Sequence, residues 1–106
     1  MAYIDNNEIN EIRAKANIVD IISSYDIKVE KKGKDYVCVC PFHNDHSPSM
    51  SISTSKQIYK CFACGEGGNV FTFVEKYEHV SFLEAIKIVS SKIGYNLNIH
   101  IHQYLN

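Results

Sequence analysis

The four cysteines and five histidines of this 106-residue chain are unevenly placed. Cys40-Pro41-Phe42-His43 and Cys61-Phe62-Ala63-Cys64-Gly65 form two donor pairs, each with two residues between its members, and seventeen residues separate the pairs. A C-x-x-H or C-x-x-C turn points both side chains into one small volume. Two such turns brought together by strands complete the tetrahedron that Zn²⁺ takes. The expected ligands are Cys40, His43, Cys61 and Cys64 around one zinc ion. Four protein ligands leave no position for water, so the expected role is structural and no catalytic residue is assigned. Metal binding in such a site acts as folding free energy. Gly65, directly after the second pair, allows a sharp backbone turn. The competing reading is two unrelated turns with free thiols and one satisfied histidine. The strand-like segments ending at both pairs oppose it.

The remaining thiol and histidines carry weaker signals. Cys38 could replace His43 in a four-cysteine site. However, a strand's pleat spaces Cys38 and Cys40 along one face rather than folding them around a metal. His46 lies in the loop after the first pair, where it could touch a phosphate. His79 precedes a helix cap and is expected at the surface. His100 and His102 form an H-x-H step in the tail and are expected as exposed strand residues.

The elements around the ligand pairs follow from hydrophobic period. In the first third, Asn7 can cap a helix with Ile9, Ile12 and Ala16 on one face. Asn17 can cap a second helix with Ile18, Ile22 and Tyr25 as its stripe. In the middle, Asp26 to Glu30 alternates, Lys31-Lys32-Gly33-Lys34 reads as a turn, and Tyr36 to Cys40 reads as a strand. That strand puts Val37 and Val39 on one face and Tyr36, Cys38 and Cys40 on the other. Ser49–Ser53 and Gln57–Cys61 are further strands joined by a turn over 53–56, which makes an antiparallel meander. In the last third, Asn69 can cap a helix bearing Val70, Phe73, Val74 and Tyr77. Ser81-Phe82-Leu83-Glu84 is a capping box, and Gly94 supplies a left-handed stop. Leu97, Ile99 and Ile101 alternate in a tail read as a last strand or the start of a linker. The class is α+β, with an antiparallel sheet flanked by N-terminal and C-terminal helices. The expected organisation is N-terminal helices over 1–25, a sheet-and-helix body over 26–94 and a terminal strand or linker over 95–106.

Composition sets outer limits. The chain is 45% hydrophobic and 22% charged, which suits a folded domain rather than a disordered tail. No apolar run approaches a membrane span, no secretory leader is visible, and no Walker loop, dinucleotide fingerprint or nucleophile elbow appears. A cytoplasmic location and no membrane contact are the expectation. The net charge of −1 hides an uneven spread. Residues 28–60 carry six lysines against three acids, while both flanks are mildly acidic.

Taken together, several linked motifs are similar to a known family. These are Tyr36 to Cys40, Pro41-Phe42-His43, Ser47-Pro48-Ser49, Lys56-Gln57-Ile58, Cys61-Phe62-Ala63-Cys64-Gly65 and Gly67-Gly68-Asn69-Val70-Phe71. In this order they resemble the N-terminal zinc-binding domain of bacterial DNA primase (the CHC2-type zinc ribbon). The resemblance runs from Ile18-Val19-Asp20-Ile21-Ile22 to Gly94, and Cys40, His43, Cys61 and Cys64 match the family's ligands one by one. It implies a zinc ribbon packed by helices that binds single-stranded template DNA and assists primer initiation. Polymerising chemistry would lie in a separate TOPRIM-type domain, in the same or a neighbouring molecule, and a replicative helicase would be reached through other domains. On this reading the chain alone is not an enzyme. The sequence departs from the family at Cys38, usually small or apolar. It departs also at His46, where lysine is common, at Met50, where phenylalanine is common, and at Lys60, where histidine is common.

Single-strand binding combines cations for phosphates with aromatic faces for bases. Lys31, Lys32 and Lys34 cluster at one turn beside Tyr36, and Tyr59 and Lys60 precede the second ligand pair. By pleat parity Tyr36 and Tyr59 share a face with their cysteines, so the expectation is a two-ring platform beside the zinc. Lys56 and His46 complete the expected DNA contacts. Phe42 and Phe62 are expected to shield the metal, and Phe71, Phe73, Tyr77 and Phe82 to fill the core. The alternative function is a protein-interaction zinc ribbon whose acidic helical flanks (Glu8, Glu11, Asp20, Glu75, Glu78) dock a polymerase or helicase.

Overall fold

A computed structural model describes residues 2–42, 47–97 and 100–101. His43, His46, Ile99 and His102 lie outside the described residues. In chain order the elements are β1 (Ala2–Tyr3), α1 (Asn6–Lys15), α2 (Ile18–Ser23), β2 (Glu30–Lys32), β3 (Asp35–Cys38), β4 (Met50–Ser53) and β5 (Ile58–Cys61). They continue as β6 (Gly67–Asn69), α3 (Val70–Glu78), α4 (Phe82–Ile93) and β7 (His100–Ile101).

Helix ends form where local chemistry supplies partners for orphan N–H groups. Asn17 accepts from the Val19 N–H, Asn69 from those of Phe71 and Thr72, and Ser81 from that of Glu84. Gly94 ends α4 in the left-handed region at φ 72°. The first helix starts earlier than its asparagine suggests. Asp5 is the cap, accepting from the Asn7 N–H at 2.8 Å, and Asn7 lies inside the helix.

Strands β2 to β6 form one antiparallel sheet in sequence order, and β1 pairs with β7. The strand expected over Asp26 to Glu30 begins only at Glu30, because Asp26 adopts φ 63°. Strand β6 is an element that residue type conceals, since Gly67-Gly68-Asn69 reads as a turn. Its glycines permit close approach. A Cβ on Gly68 would sit 2.6 Å from the Thr72 side chain, and one on Gly67 would sit 2.9 Å from the Tyr59 carbonyl.

The register assigns the sheet two unlike faces. Tyr36, Ile52 and Tyr59 lie opposite one another across β3, β4 and β5, as do Cys38, Met50 and Cys61. All of these except Tyr36 are buried, against Ile12, Ile18, Ile22, Phe73, Val74 and Ile86 of the helices. The opposite face carries Val37, Ser51 and Lys60 in one row and Lys32, Asp35, Ser53, Ile58 and Asn69 in the next. The helices leave this second face open.

Candidate metal centre and open sheet face

Strand pairing brings the ligand segments together. Cys61 ends β5 opposite Met50, which in turn lies opposite Cys38, so the end of β5 meets the chain just past β3, where Cys40 lies. Beyond Cys61 the chain turns tightly. The Gly65 N–H donates to the Cys61 carbonyl at 2.9 Å, and the Cys61 N–H donates to the Glu66 carbonyl at 2.8 Å. Gly65 sits at φ 82°, a conformation that favours glycine.

The Sγ atoms of Cys40, Cys61 and Cys64 all lie within 4.8 Å of one another. Cys40 and Cys61 are buried and Cys64 is exposed. The Cys40 and Cys64 sulfurs are 3.8 Å apart, and the Cys64 N–H points at the Cys61 sulfur from 3.5 Å. Burial is the largest influence on the Cys40 thiol and pushes it up to about 12. Burial acts the same way on Cys61. There, however, the Cys64 and Ala63 N–H groups and the neighbouring thiols outweigh it and bring the group below its ordinary value. An amide donating to sulfur stabilises thiolate, the form that binds metal. Three converging sulfurs with such a donor fit Zn²⁺. The expected fourth ligand, His43, lies outside the described residues. Cys38 does not join the cluster. It is 2% exposed within the core, and burial followed by the nearby Cys61 raises its thiol to about 11.

The expected two-tyrosine platform does not form. Tyr59 does share a face with Cys61, but that face is covered, and Tyr59 is 1% exposed. Its ring lies 5.4 Å from that of Phe73, edge-on, and 5.9 Å from that of Phe42. A ring so enclosed cannot stack on a base, so Tyr59 is a core residue. Tyr36 is half-buried at the margin of the same face, with Lys31 opposite it on β2. Parity identifies which residues share a face but not which face the helices will cover.

The two knuckle phenylalanines part company. Phe42 packs inward against Tyr59 and Phe73, as a shielding residue should. Phe62 is 76% exposed, although it was expected to shield the metal. It follows Cys61 and therefore turns to the opposite face. There it lines a groove of about 370 Å³ with Lys32, Asp35, Val37, Pro48, Ser49, Met50 and Ser51. Phe62 is the aromatic that sequence reasoning missed, and its parity relative to Cys61 was the available signal. Phe82, expected in the core, is 46% exposed and meets Phe71 edge-on.

Of the expected cations, Lys32 and Lys60 are exposed on the open face, and Lys34 and Lys56 are exposed at the two hairpin turns. Lys31 is exposed but belongs to the other face. Asp35 stands opposite Lys32 and tempers the positive charge at that end of the groove. No helix among the described residues is long and apolar enough to cross a membrane.

Comparison with known proteins bears on this arrangement. The family model for the CHC2 zinc finger matches residues 4–105. The chain is 42% identical to a DNA primase of Staphylococcus aureus over 101 residues, which is 95% of this chain and 16% of that protein. It is also 42% identical to a DNA primase of Staphylococcus epidermidis over 100 residues, which is 94% of this chain and 17% of that protein. It spans about a sixth of the length of these relatives. Among solved structures it is similar to part of a crystal structure of the Aquifex aeolicus primase that contains zinc-binding and RNA polymerase domains. The TM-score is 0.78 and the identity 46%, over 85% of this chain and 22% of that one. The metal that suits these cysteines is zinc in a structural role, and the chain belongs to the CHC2 zinc finger family, as a zinc-binding domain of the bacterial DNA primase kind.

Proposed function

We propose that this domain holds single-stranded template DNA on the open face of its sheet and presents it to a primase catalytic domain for primer initiation. The observation that carries the reading is the position of Phe62. Phe62 is 76% exposed, lines a groove with Val37 and Ser51, and stands on the same sheet face as Lys60, so it offers an accessible π-face beside cations. A base has a π-face for such a ring, and Lys32 and Lys60 supply cations for the flanking phosphates. Lys34 extends the positive surface to one hairpin turn, while Lys56, at the other, does not line the groove beside Phe62. Lys31, Tyr36 and His46 are the other proposed contacts, of which Lys31 and Tyr36 lie at the sheet's opposite margin.

In this reading zinc is held by Cys40, His43, Cys61 and Cys64. When bound it cross-links the end of β3 to the turn after β5, so that Phe62 is fixed relative to the groove. The chain supplies no catalytic group. Nucleotide addition belongs to a catalytic domain of the kind carried by the longer relatives, acting in the same molecule or a neighbouring one.

Fluorescence anisotropy with labelled oligothymidylate tests this. The zinc-loaded protein is expected to bind single strands in a salt-dependent way. The double variant Lys60→Ala, Phe62→Ala is expected to lose most of that affinity with its melting temperature unchanged. Full affinity in that variant would remove the sheet face from the function. Absence of binding at moderate salt, with tight binding to a polymerase or helicase domain instead, would favour a protein-docking ribbon.

A further inference from the structure

A second concavity, of about 460 Å³, lies at the end of β5 away from the cysteines. It is lined by Asn10, Arg13 and Ala14 of α1, by Lys56, Gln57 and Ile58, and by Asn69. No acidic residue is among the described residues that line it. Arg13 is the only arginine in the chain. The ion pairs among the described residues join Lys15 to Glu11, Lys76 to Glu66 and Lys87 to Glu84, and include neither Arg13 nor Lys56. Glu11, two residues before Arg13 in α1 and so not on its face of the helix, is engaged by Lys15 and by the Tyr95 hydroxyl.

The side-chain oxygens of this pocket are already engaged, while several of its donors are not. The Asn10 carbonyl oxygen accepts from the Arg13 guanidinium at 3.1 Å. The Asn69 carbonyl oxygen accepts from the Phe71 and Thr72 N–H groups and the Thr72 hydroxyl. Both ends of the Gln57 amide are occupied, since its oxygen accepts from the Ile18 N–H at 2.8 Å and its nitrogen donates to the Thr54 carbonyl at 2.8 Å. Each of these side-chain oxygens therefore already has a donor. The donors that remain are the rest of the guanidinium fork, the Lys56 ammonium and the amide nitrogens of Asn10 and Asn69. A cavity that offers two cations without an ion pair among the described residues, further N–H donors and no carboxylate among its described lining suits an oxyanion with several acceptor oxygens, and a planar guanidinium suits phosphate in particular. Its walls are fixed in advance. Gln57 ties the turn to α2 while holding φ 56°, and Asn69 is locked as the α3 cap.

The pocket also adjoins the open face. Ile58 and Asn69 are cross-strand partners in the row that contains Lys32, Asp35 and Ser53. The exposed Ile58 side chain lines this pocket and shares its sheet row with Lys32 and Asp35, which line the groove beside Phe62.

We propose that this pocket is a second phosphate site for the single strand, gripping its backbone with Arg13 and Lys56 where it leaves the sheet. This rests on the reading of the open face as the strand-binding surface. It makes α1, which sits in an acidic third of the sequence, part of the nucleic-acid surface.

The test uses the whole zinc-loaded chain and two oligothymidylates, of about 4 and about 12 nucleotides. In the double variant Arg13→Ala, Lys56→Ala the longer strand should bind more weakly. Its slope of log affinity against log salt should fall by about 1.4, because each phosphate neutralised on a single strand contributes about 0.7. The short strand, which the sheet face alone accommodates, should bind as it does to wild type. Arg13→Lys should keep most of the salt slope. An unchanged slope on the longer strand, in a protein whose Phe62→Ala variant is impaired, would overturn the pocket and leave the sheet face standing. Equal losses on both lengths would place these cations on the primary face and overturn a separate exit site. Wild-type protein that binds neither strand would overturn both readings. Zinc content and the melting curve of each variant confirm that the fold is intact.

Discussion

The two faces of the five-stranded sheet come from the same short strands in alternation, yet they are chemically opposed. One face presents Cys38, Met50, Ile52, Tyr59 and Cys61 to the helices. The other presents Val37, Ser51, Lys60 and Lys32 to solvent, with Phe62 at its end. Neighbouring residues in β5 and the knuckle therefore belong to different roles. Tyr59 and Cys61 hold the domain together, while Lys60 and Phe62 are free to meet a ligand. A change on the first face should be read in stability, and a change on the second in binding.

The largest expected effect is on the covered face. Cys61→Ser removes a sulfur from the three-sulfur cluster. Zinc binding in such sites is on the order of 10–16 kcal/mol, as large as the whole stability of a typical domain. Metal content should fall to zero and the cooperative melt should disappear. A variant that kept a sharp melt would show that the helices alone hold this face. Next is Tyr59→Ala, expected to cost about 3–5 kcal/mol in unfolding experiments, the range for removing a fully enclosed aromatic. Tyr59→Phe should cost almost nothing, because the buried hydroxyl has no hydrogen-bond partner among the described residues. A large loss in Tyr59→Phe would mean that the hydroxyl, rather than the ring, matters.

The open face should respond in binding alone. Phe62→Ala is expected to weaken single-strand binding by about 1–3 kcal/mol, the value of one stacked base. Its stability should stay within about 0.5 kcal/mol of wild type, as for most exposed positions. A fall in melting temperature would return Phe62 to a shielding role. The smallest effect is expected for Lys32→Ala and Lys60→Ala taken singly. Each should lower the salt slope by about 0.7 without changing the melt. For Lys32 the change should be the lesser of the two, since Asp35 faces it across the hairpin.

Local chemistry was legible in the sequence, and coverage was not. Asn17, Asn69, Ser81 and Gly94 end their helices as their residue types indicate, because a cap is settled within three or four residues. Pleat parity correctly grouped Tyr36 and Cys38 apart from Val37. The placement of the helices is set by distant residues such as Ile12 and Ile86, so the burial of Tyr59 could not be read from β5 alone. Strand β6 was hidden for a related reason. Gly67 and Gly68 have poor strand propensity, and they are needed because the Thr72 side chain and the Tyr59 backbone pass so close. The spacing of the cysteines was the strongest signal, because metal geometry leaves a narrow choice of sequence separations.

Because β2 to β6 are adjacent in space in the order in which they occur in the chain, every hydrogen-bonded ladder of the main sheet joins consecutive strands, across two to five residues in three cases and eleven between β3 and β4. Local closures are fast, and sheets built this way avoid the slow search that distant strand pairings impose. The sheet can therefore assemble hairpin by hairpin. The β3–β4 and β4–β5 hairpins are the ones that bring the two halves of the cysteine cluster together. The contacts between residues far apart in the chain are instead those of α1 with α4, of α2 with α3 and of β1 with β7.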